Sequence, residues 1–419
     1  MNNSKQRTNR WFTLFVLGAS AGLMIFVPYL RYNYYDQMLL AFSITNTQLG
    51  ILGSIYGFGC TISYLFIGFL ADSFNPKFLL TISCGAMSLL TFWYASLPSF
   101  HILIIISILF CIASVLMFWA SFNVVVRSLG KDDEQGRMFG FAECSKGVIN
   151  VLIGFLSLWI MGLSAGTKGF QYMLFFNAAV FGVWSILIFI TVPSIFPNKS
   201  TAFSGNTSSL KENYISALKT PGTWIVAALL FFAYSFYSAS SGYLGAYQTS
   251  VLGISPETAS SLAIIRNYVI MVIATLLVGF IADKIGSCSK TQGILLACAT
   301  VCAIVLLLTK DQTALSIVIS FFLAYCYLSM RGLYLAPMAE VGINAKDTAM
   351  AVGFISLIGY LPDAFFAIIA GHWLDQYGNK GFDYIFYYMI ISGILGFLTA
   401  WIAYRYSKKL EKTEYKKPF

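Results

Sequence analysis

Gly68-Phe69-Leu70-Ala71-Asp72 and Gly279-Phe280-Ile281-Ala282-Asp283 are one pentapeptide with a single aliphatic exchange, 211 residues apart in a chain of 419. A repeat at half the chain length marks a duplicated unit. Each copy closes an apolar run and opens a short polar loop. The second continues Lys284-Ile285-Gly286. The first continues Ser73-Phe74-Asn75-Pro76-Lys77, without the basic residue and glycine of the second.

Outward from these copies, the chain is a series of apolar runs. It is 58% hydrophobic and 10% charged, where a soluble domain carries roughly 25% charged residues. A surface that faces lipid needs no more. A spanning helix takes about 20 apolar residues, and twelve runs qualify: 11–35, 47–70, 77–97, 101–126, 137–162, 171–192, 222–247, 258–282, 290–309, 314–338, 349–372 and 383–405. The first reads as a span and not as a cleaved signal, because no small-residue cleavage site follows it. The one long polar stretch runs from Pro193 to Pro221. The expected organisation is an all-α membrane protein: a six-helix bundle over 1–192, a linker over 193–221, a second six-helix bundle over 222–405 and a basic tail over 406–419.

The charge pattern orients it. Of 26 Lys and Arg residues, nineteen fall in the termini and the loops on their side, and three, Lys168, Lys310 and Lys380, fall in the opposite loops. Basic loops stay cytoplasmic, so both termini are expected inside a cell inner membrane. The net charge of +9 thus reflects orientation and not nucleic acid binding. The eight cysteines make no CxxC pair, and His101 and His372 lack ligand-type neighbours, so no metal and no cofactor are expected. GxxxxGK[ST] is absent, which excludes a P-loop. No nucleophile–base pair lies within the spans, so an enzyme is not expected.

Ionisable residues inside spans are costly and usually functional. Six stand out: Arg31, Glu143, Lys146, Arg266, Arg331 and Asp363. Four cations against two anions fit a cavity that receives an anion. Glu143 and Lys146 share a helix face three residues apart, so they either pair or present Lys146 to substrate. Arg331 either pairs with Asp363 or contacts substrate, its planar fork suiting carboxylate or phosphate. Arg31 either snorkels to headgroups or faces a site. Arg266 has no sequence-local partner. The run 234–247 holds Tyr234, Ser235, Tyr237, Ser238, Ser240, Ser241, Tyr243 and Tyr247. It is too rich in hydroxyls for a lipid face and serves either packing or a polar solute. Trp119, Ser121 and Asn123 are weaker candidates of the same kind. Glu143 or Asp363 could carry a coupling proton.

The duplicated Gly-x-x-x-Asp loops and twelve runs resemble the major facilitator superfamily across essentially the whole chain. Asp72-x-x-Asn75-Pro76-Lys77 and Glu134-x-Gly136 are similar to its organophosphate:phosphate antiporter branch. Residues 135–143, 336–340 and 358–362 are similar to YihN-type transporters. The resemblance implies two pseudo-symmetric bundles, alternating access, and a cavity lined by helices one, four, seven and ten. It implies that Gly68, Asp72, Gly279 and Asp283 form gating loops, each Asp capping a helix or pairing with a base. It places Lys146 where the antiporters have a substrate-contacting histidine. It places Tyr29 and Tyr237 where they have a phosphate-clamping arginine pair, a departure that argues against a phosphate clamp.

The expected function is secondary transport of a small organic anion by a monomer in the bilayer, driven by protons or exchange. The alternatives are a proton-coupled exporter of lipophilic compounds and, from another class, a non-transporting sensor or scaffold.

Overall fold

A computed structural model describes residues 2–131, 134–194, 218–310, 312–343 and 348–414. The described chain is helical throughout: α1 Asn2–Phe26, α2 Asn46–Ser73, α3 Pro76–Ala95, α4 Phe100–Ser128, α5 Gln135–Met161 and α6 Thr167–Thr191. The second half has α7 Pro221–Ser250, α8 Pro256–Ile285, α9 Cys288–Leu308 and α10 Thr313–Leu333. It ends with α11 in two pieces, Thr348–Gly359 and Pro362–Tyr377, and α12 Gly381–Glu414.

Each of the twelve expected runs coincides with one of these helices. Among the described residues nine helical stretches are long and apolar enough to cross a membrane, or ten if a bent pair is one span. One of these, Met350–Lys412, contains both α11 and α12, and the apolar part of α1, Arg10–Phe26, is shorter. The ends differ from the sequence reading where caps decide them. Helix one stops at Phe26, before Pro28, and a 3-10 turn at Leu30–Tyr32 carries Arg31. A short helix, Tyr35–Phe42, then meets α2 at 107°. Thr45 and Gln48 cap each other reciprocally at that corner. Residues 195–217, most of the expected linker, lie outside the described residues.

Contacts divide the chain into two units. Unit 1 is Met1–Ala202 with Ser255–Val269, and unit 2 is Phe203–Ile254 with Ile270–Phe419. The first half of α8 thus clusters with the first six helices.

In unit 1 the α1–α5 seam is set by glycine. A Cβ on Gly18 would stand 2.4 Å from the Ala142 carbonyl oxygen, and one on Gly22 would stand 2.7 Å from Ile149 and 2.8 Å from Asn150. Glycines four apart let two backbones approach this closely. The seam fixes the face of α5 that carries Lys146. At its end, Arg10 donates to Glu134 at 2.9 Å, and the guanidinium holds that carboxyl below the usual range. Serines stitch α3 to α6: Ser88 donates to the Ala178 carbonyl and Ser185 to that of Thr81.

In unit 2, α7 is central. Apart from Ser241, whose buried hydroxyl makes no hydrogen bond, the hydroxyls named in the α7 sequence sort into two sets. Ser235 and Ser240 bond back to their own helix, while Tyr243 and Tyr247 donate to the Ala367 and Leu306 carbonyls. Those are packing contacts. Tyr234, Tyr237 and Ser238 reach charged groups, as described below. Outward faces are apolar, with Phe280 and Leu308 about three-quarters exposed, as lipid contact allows.

The two repeat loops turn by different chemistry. Gly286 adopts φ +75° and its N–H returns to the Ala282 carbonyl, a left-handed helix end that glycine takes without strain. In the first copy the Asn75 side chain caps Lys77 N–H and Pro76 opens α3. The missing glycine is thus replaced by an Asn-Pro helix start. In the second copy a carboxylate does cap a helix, but it is Glu340 and not Asp283. Glu340 accepts from the Cys288 and Ser289 N–H groups and the Ser287 hydroxyl at the start of α9, where negative charge is favoured.

Two outcomes test this packing. Gly22→Ala should lower the thermal midpoint of the purified protein, at about 1–3 kcal/mol for overpacking. Gly140→Ala, on the same helix pair but with nothing within 4 Å of the new methyl, should not. Equal melting of the two would remove the seam as a constraint. Glu340→Ala should cost about 1–2 kcal/mol as a lost cap, read in the same assay, and Asp283→Ala much less.

Candidate functional site

Unit 1 holds buried cations against aromatic rings, and unit 2 a half-buried one. In unit 1, Arg31 is 3% exposed, so it does not snorkel to the headgroups. The turn at Leu30–Tyr32 folds it inward, over Gly53, where a Cβ would stand 2.9 Å from Nε. Its guanidinium lies 4.8 Å from the Tyr32 ring centre. Tyr29 packs between Tyr32 and Tyr56, at 5.0 and 5.2 Å. A small cavity beside them is lined by Arg31, Gly53, Tyr56, Tyr94 and Ser107.

On α5, Lys146 is buried and its ammonium lies 3.1 Å from Glu143 and 5.8 Å from the Trp119 ring centre. The ion pair that spacing allowed is formed. Its two ends differ: the Glu143 side chain is 51% exposed and that of Lys146 7%. Trp119 ends a π-helical stretch, Ile112–Trp119, within α4. The widened turn also sets Ser114 against the Tyr56 hydroxyl at 2.8 Å.

A second π-helical stretch, Ile265–Val269, carries Arg266, Asn267 and Tyr268, all buried. Asn33 donates to the Tyr268 hydroxyl at 2.8 Å, and Asn267 donates to Asn33 Oδ1 at 3.0 Å and to the Tyr32 carbonyl at 3.3 Å. Such widened turns recur at functional sites. Sequence reading found Arg266 but missed the two asparagines, because neutral amides raise no alarm in a hydropathy scan.

Unit 2 places its charges at the break in α11. Pro362 opens the second piece, and Asp363 stands in its first turn, 4% exposed. Tyr234 donates to Asp363 Oδ2 at 2.5 Å and Ser238 to Oδ1 at 2.8 Å. One helical turn separates these two donors on α7. Arg331, half-buried near the end of α10, donates to the Tyr237 hydroxyl at 3.1 Å and lies 5.4 Å from that ring's centre. Tyr234 and Tyr237 stand 5.4 Å apart. Tyr327 flanks Tyr237, and Tyr334 and Tyr360 flank Tyr234. Tyr237 and Arg331, named on separate grounds, thus meet. The three further tyrosines were missed, since isolated aromatics in spans read as packing. The α11 break was legible only as Tyr360-Leu361-Pro362.

The gating residues divide. Asp283 is exposed and near Cys288, and Gly279 faces open space. The side chains of Gly68 and Asp72 lie outside the described residues. Among the described residues no three His, Cys, Asp or Glu side chains gather as a metal site would need.

The model for the Major Facilitator Superfamily matches residues 11–345. Inner membrane protein YqcE of Escherichia coli (strain K12) is 27% identical over 373 residues, 87% of this chain and 88% of that protein. Inner membrane protein YihN of the same organism is 25% identical over 397 residues, 92% of each. Among solved structures, an inward-facing bacterial homolog to the human lysosomal transporter Spinster superposes with a TM-score of 0.72 at 15% identity, over 96% of this chain and 98% of that one. Helical architecture, family match and relatives agree, and the chain belongs to the major facilitator superfamily as a transporter and not an enzyme.

Proposed function

We infer that the protein moves a small polar organic anion across the inner membrane by alternating access. One observation carries the reading: of the six ionisable side chains named inside spans, four are cations and two, Glu143 and Asp363, are acids, with Arg31, Lys146 and Arg266 at least nine-tenths buried and Arg331 half-buried. None of the four lies in the basic surface loops. Cations held inside a lipid-embedded protein call for compensating negative charge. An anionic substrate would supply it. In unit 2 Arg331 presents a planar donor fork beside Tyr237, and in unit 1 Lys146 presents a point charge beside Trp119; each by itself suits a carboxylate next to an aromatic ring. The names of YqcE and YihN support the inner membrane, and the nineteen-to-three loop count supports cytoplasmic termini.

Asp363 is the better coupling candidate. Both its oxygens accept neutral hydroxyls, so protonation would release Tyr234 or Ser238 and disturb the Arg331 cluster through Tyr237. Proton coupling and anion exchange both fit. The carboxylate amid Tyr234, Tyr334 and Tyr360 also fits a second reading, in which a lipophilic cation is anchored at Asp363 and exported.

Thermal shift against carboxylates, sulfonates, sugar phosphates, nucleosides and lipophilic cations separates these readings, because only ligands of the folded state raise its midpoint. A response confined to lipophilic cations would overturn the anion reading. Lys146→Gln and Arg331→Gln should each remove a charged hydrogen bond of roughly 1.5–3 kcal/mol, and so weaken anion binding about tenfold to a hundredfold. If Glu143→Gln restores affinity to Lys146→Gln, or Asp363→Asn to Arg331→Gln, that cation acts by pairing and not by touching substrate. For orientation, single cysteines at Asn206 and Asn379 in a background without accessible native thiols should label from opposite sides of the membrane. Labelling of both from outside would overturn this topology.

A further inference from the structure

The last helix is too long for its task. Helix α12 has 34 residues, or about 51 Å at 1.5 Å per residue, against a hydrocarbon core of about 30 Å. Its surplus lies at the end rich in Lys and Arg. There Trp401, Tyr404, Arg405, Lys408 and Lys412 follow one another at helical spacing along one face. Trp401 is half-exposed, and the four polar members reach the surface to different degrees.

Three of these residues join with Lys290 of α9. The Lys290 ammonium, from the first turn of α9, lies 5.8 Å from the Tyr404 ring centre. Tyr404 and Trp401 are 6.1 Å apart, centre to centre. The Arg405 guanidinium lies 5.2 Å from the Trp401 ring centre. Two exposed cations therefore bracket an aromatic pair where the helix leaves the apolar layer. The nearby acids are already engaged: Glu340 caps α9 at Cys288 and Ser289, and Glu411 bonds Lys408 at 2.8 Å. Lys408 is thus neutralised by its neighbour, whereas Lys290 and Arg405 are held on rings, which leave a cation's charge intact.

We propose that Lys290, Arg405, Tyr404 and Trp401 form a binding site for the headgroup of an anionic phospholipid. The two cations draw the phosphodiester to the edge of the ring pair, and the glycerol and upper acyl chain lie along the exposed face of Trp401. Basic clusters just outside a span attract anionic lipid, and interfacial Trp and Tyr sit at headgroup depth. The site differs from a diffuse basic surface because aromatic contacts fix both cations beside an apolar wall. It also touches the α9 start capped by Glu340, so headgroup occupancy would stabilise that turn.

The test uses the full-length purified protein. Dioleoyl-phosphatidylglycerol added to delipidated protein should raise the thermal midpoint by several degrees, and dioleoyl-phosphatidylcholine should not. Glycerol 1-phosphate, the free headgroup, should give no rise that depends on Lys290 and Arg405; a rise with it that Lys290→Gln with Arg405→Gln removes would mean a soluble-phosphate site at these cations and overturn the proposal. Lys290→Gln with Arg405→Gln should lose at least half of the shift. Arg127→Gln with Lys131→Gln, two exposed cations of unit 1, should keep it. Equal losses in both pairs would reduce the effect to general surface charge and overturn the site. A reading independent of those variants comes from brominated lipids. The Trp401 fluorescence component, wild type minus Trp401→Phe, should be quenched by brominated phosphatidylglycerol at about tenfold lower mole fraction than by brominated phosphatidylcholine, as two favourable cation contacts imply. Equal quenching overturns the proposal.

Discussion

Everything in this chain answers to the absence of water in the bilayer core. A backbone N–H or side-chain hydroxyl there gains most from a partner within the protein. Helices satisfy the backbone. Many hydroxyls follow a second rule: Ser20, Thr61, Ser107, Thr300 and Thr399 each donate to the carbonyl four residues back on their own helix, whereas Ser54, Ser121, Ser241 and Ser329 are buried without a hydrogen bond. Charge obeys the same rule at higher cost. Lys146 takes Glu143, Asp363 takes two hydroxyls, and Arg31 and Arg331 lie against tyrosine rings. Each solution fixes a side chain in place, so the economy of polar groups in lipid also builds rigid clusters around the charges.

The parts of the fold set by apolar run length were legible in the sequence. The apolar helices and the duplicated loops follow from hydropathy and repetition, whereas the grouping of the first half of α8 with the first six helices does not. What stayed hidden depends on turn geometry. Arg31 looked close enough to the helix end to snorkel because nothing in a hydropathy profile says that α1 stops at Phe26. Once it does, the turn at Leu30–Tyr32 points the guanidinium inward. The π-helical stretches in α4 and α8 have no compositional mark at all. Glu340 was visible only as part of a family-like string; its role appeared when α9 was seen to start within reach of its carboxylate.

The candidate site was half legible for a related reason. Charges inside spans announce themselves, and Arg31, Lys146, Arg331 and Asp363 each stand against an aromatic side chain. Their partners do not. Tyr234 and Ser238 were indistinguishable from Tyr243 and Ser240 until α7 was oriented, since all four lie within three helical turns. Rotation of one helix decides which hydroxyls hold Asp363 and which merely pack, and that rotation is set by neighbours far away in sequence.

The seam between α1 and α5 bears on how the protein is made. Its terminal ion pair joins residues 124 positions apart. A ribosome adding about 5–20 residues per second therefore needs roughly 6–25 s to deliver the second partner after the first. Through that interval α1 already lies in the membrane with Gly18 and Gly22 turned to lipid tails or to the insertion machinery. Helices two to four arrive before the surface that α1 fits. The glycine face of α1 thus waits for α5 while three other helices are made, and α1 waits longer still for α6, whose Thr191 carbonyl accepts from Thr13 across 178 positions.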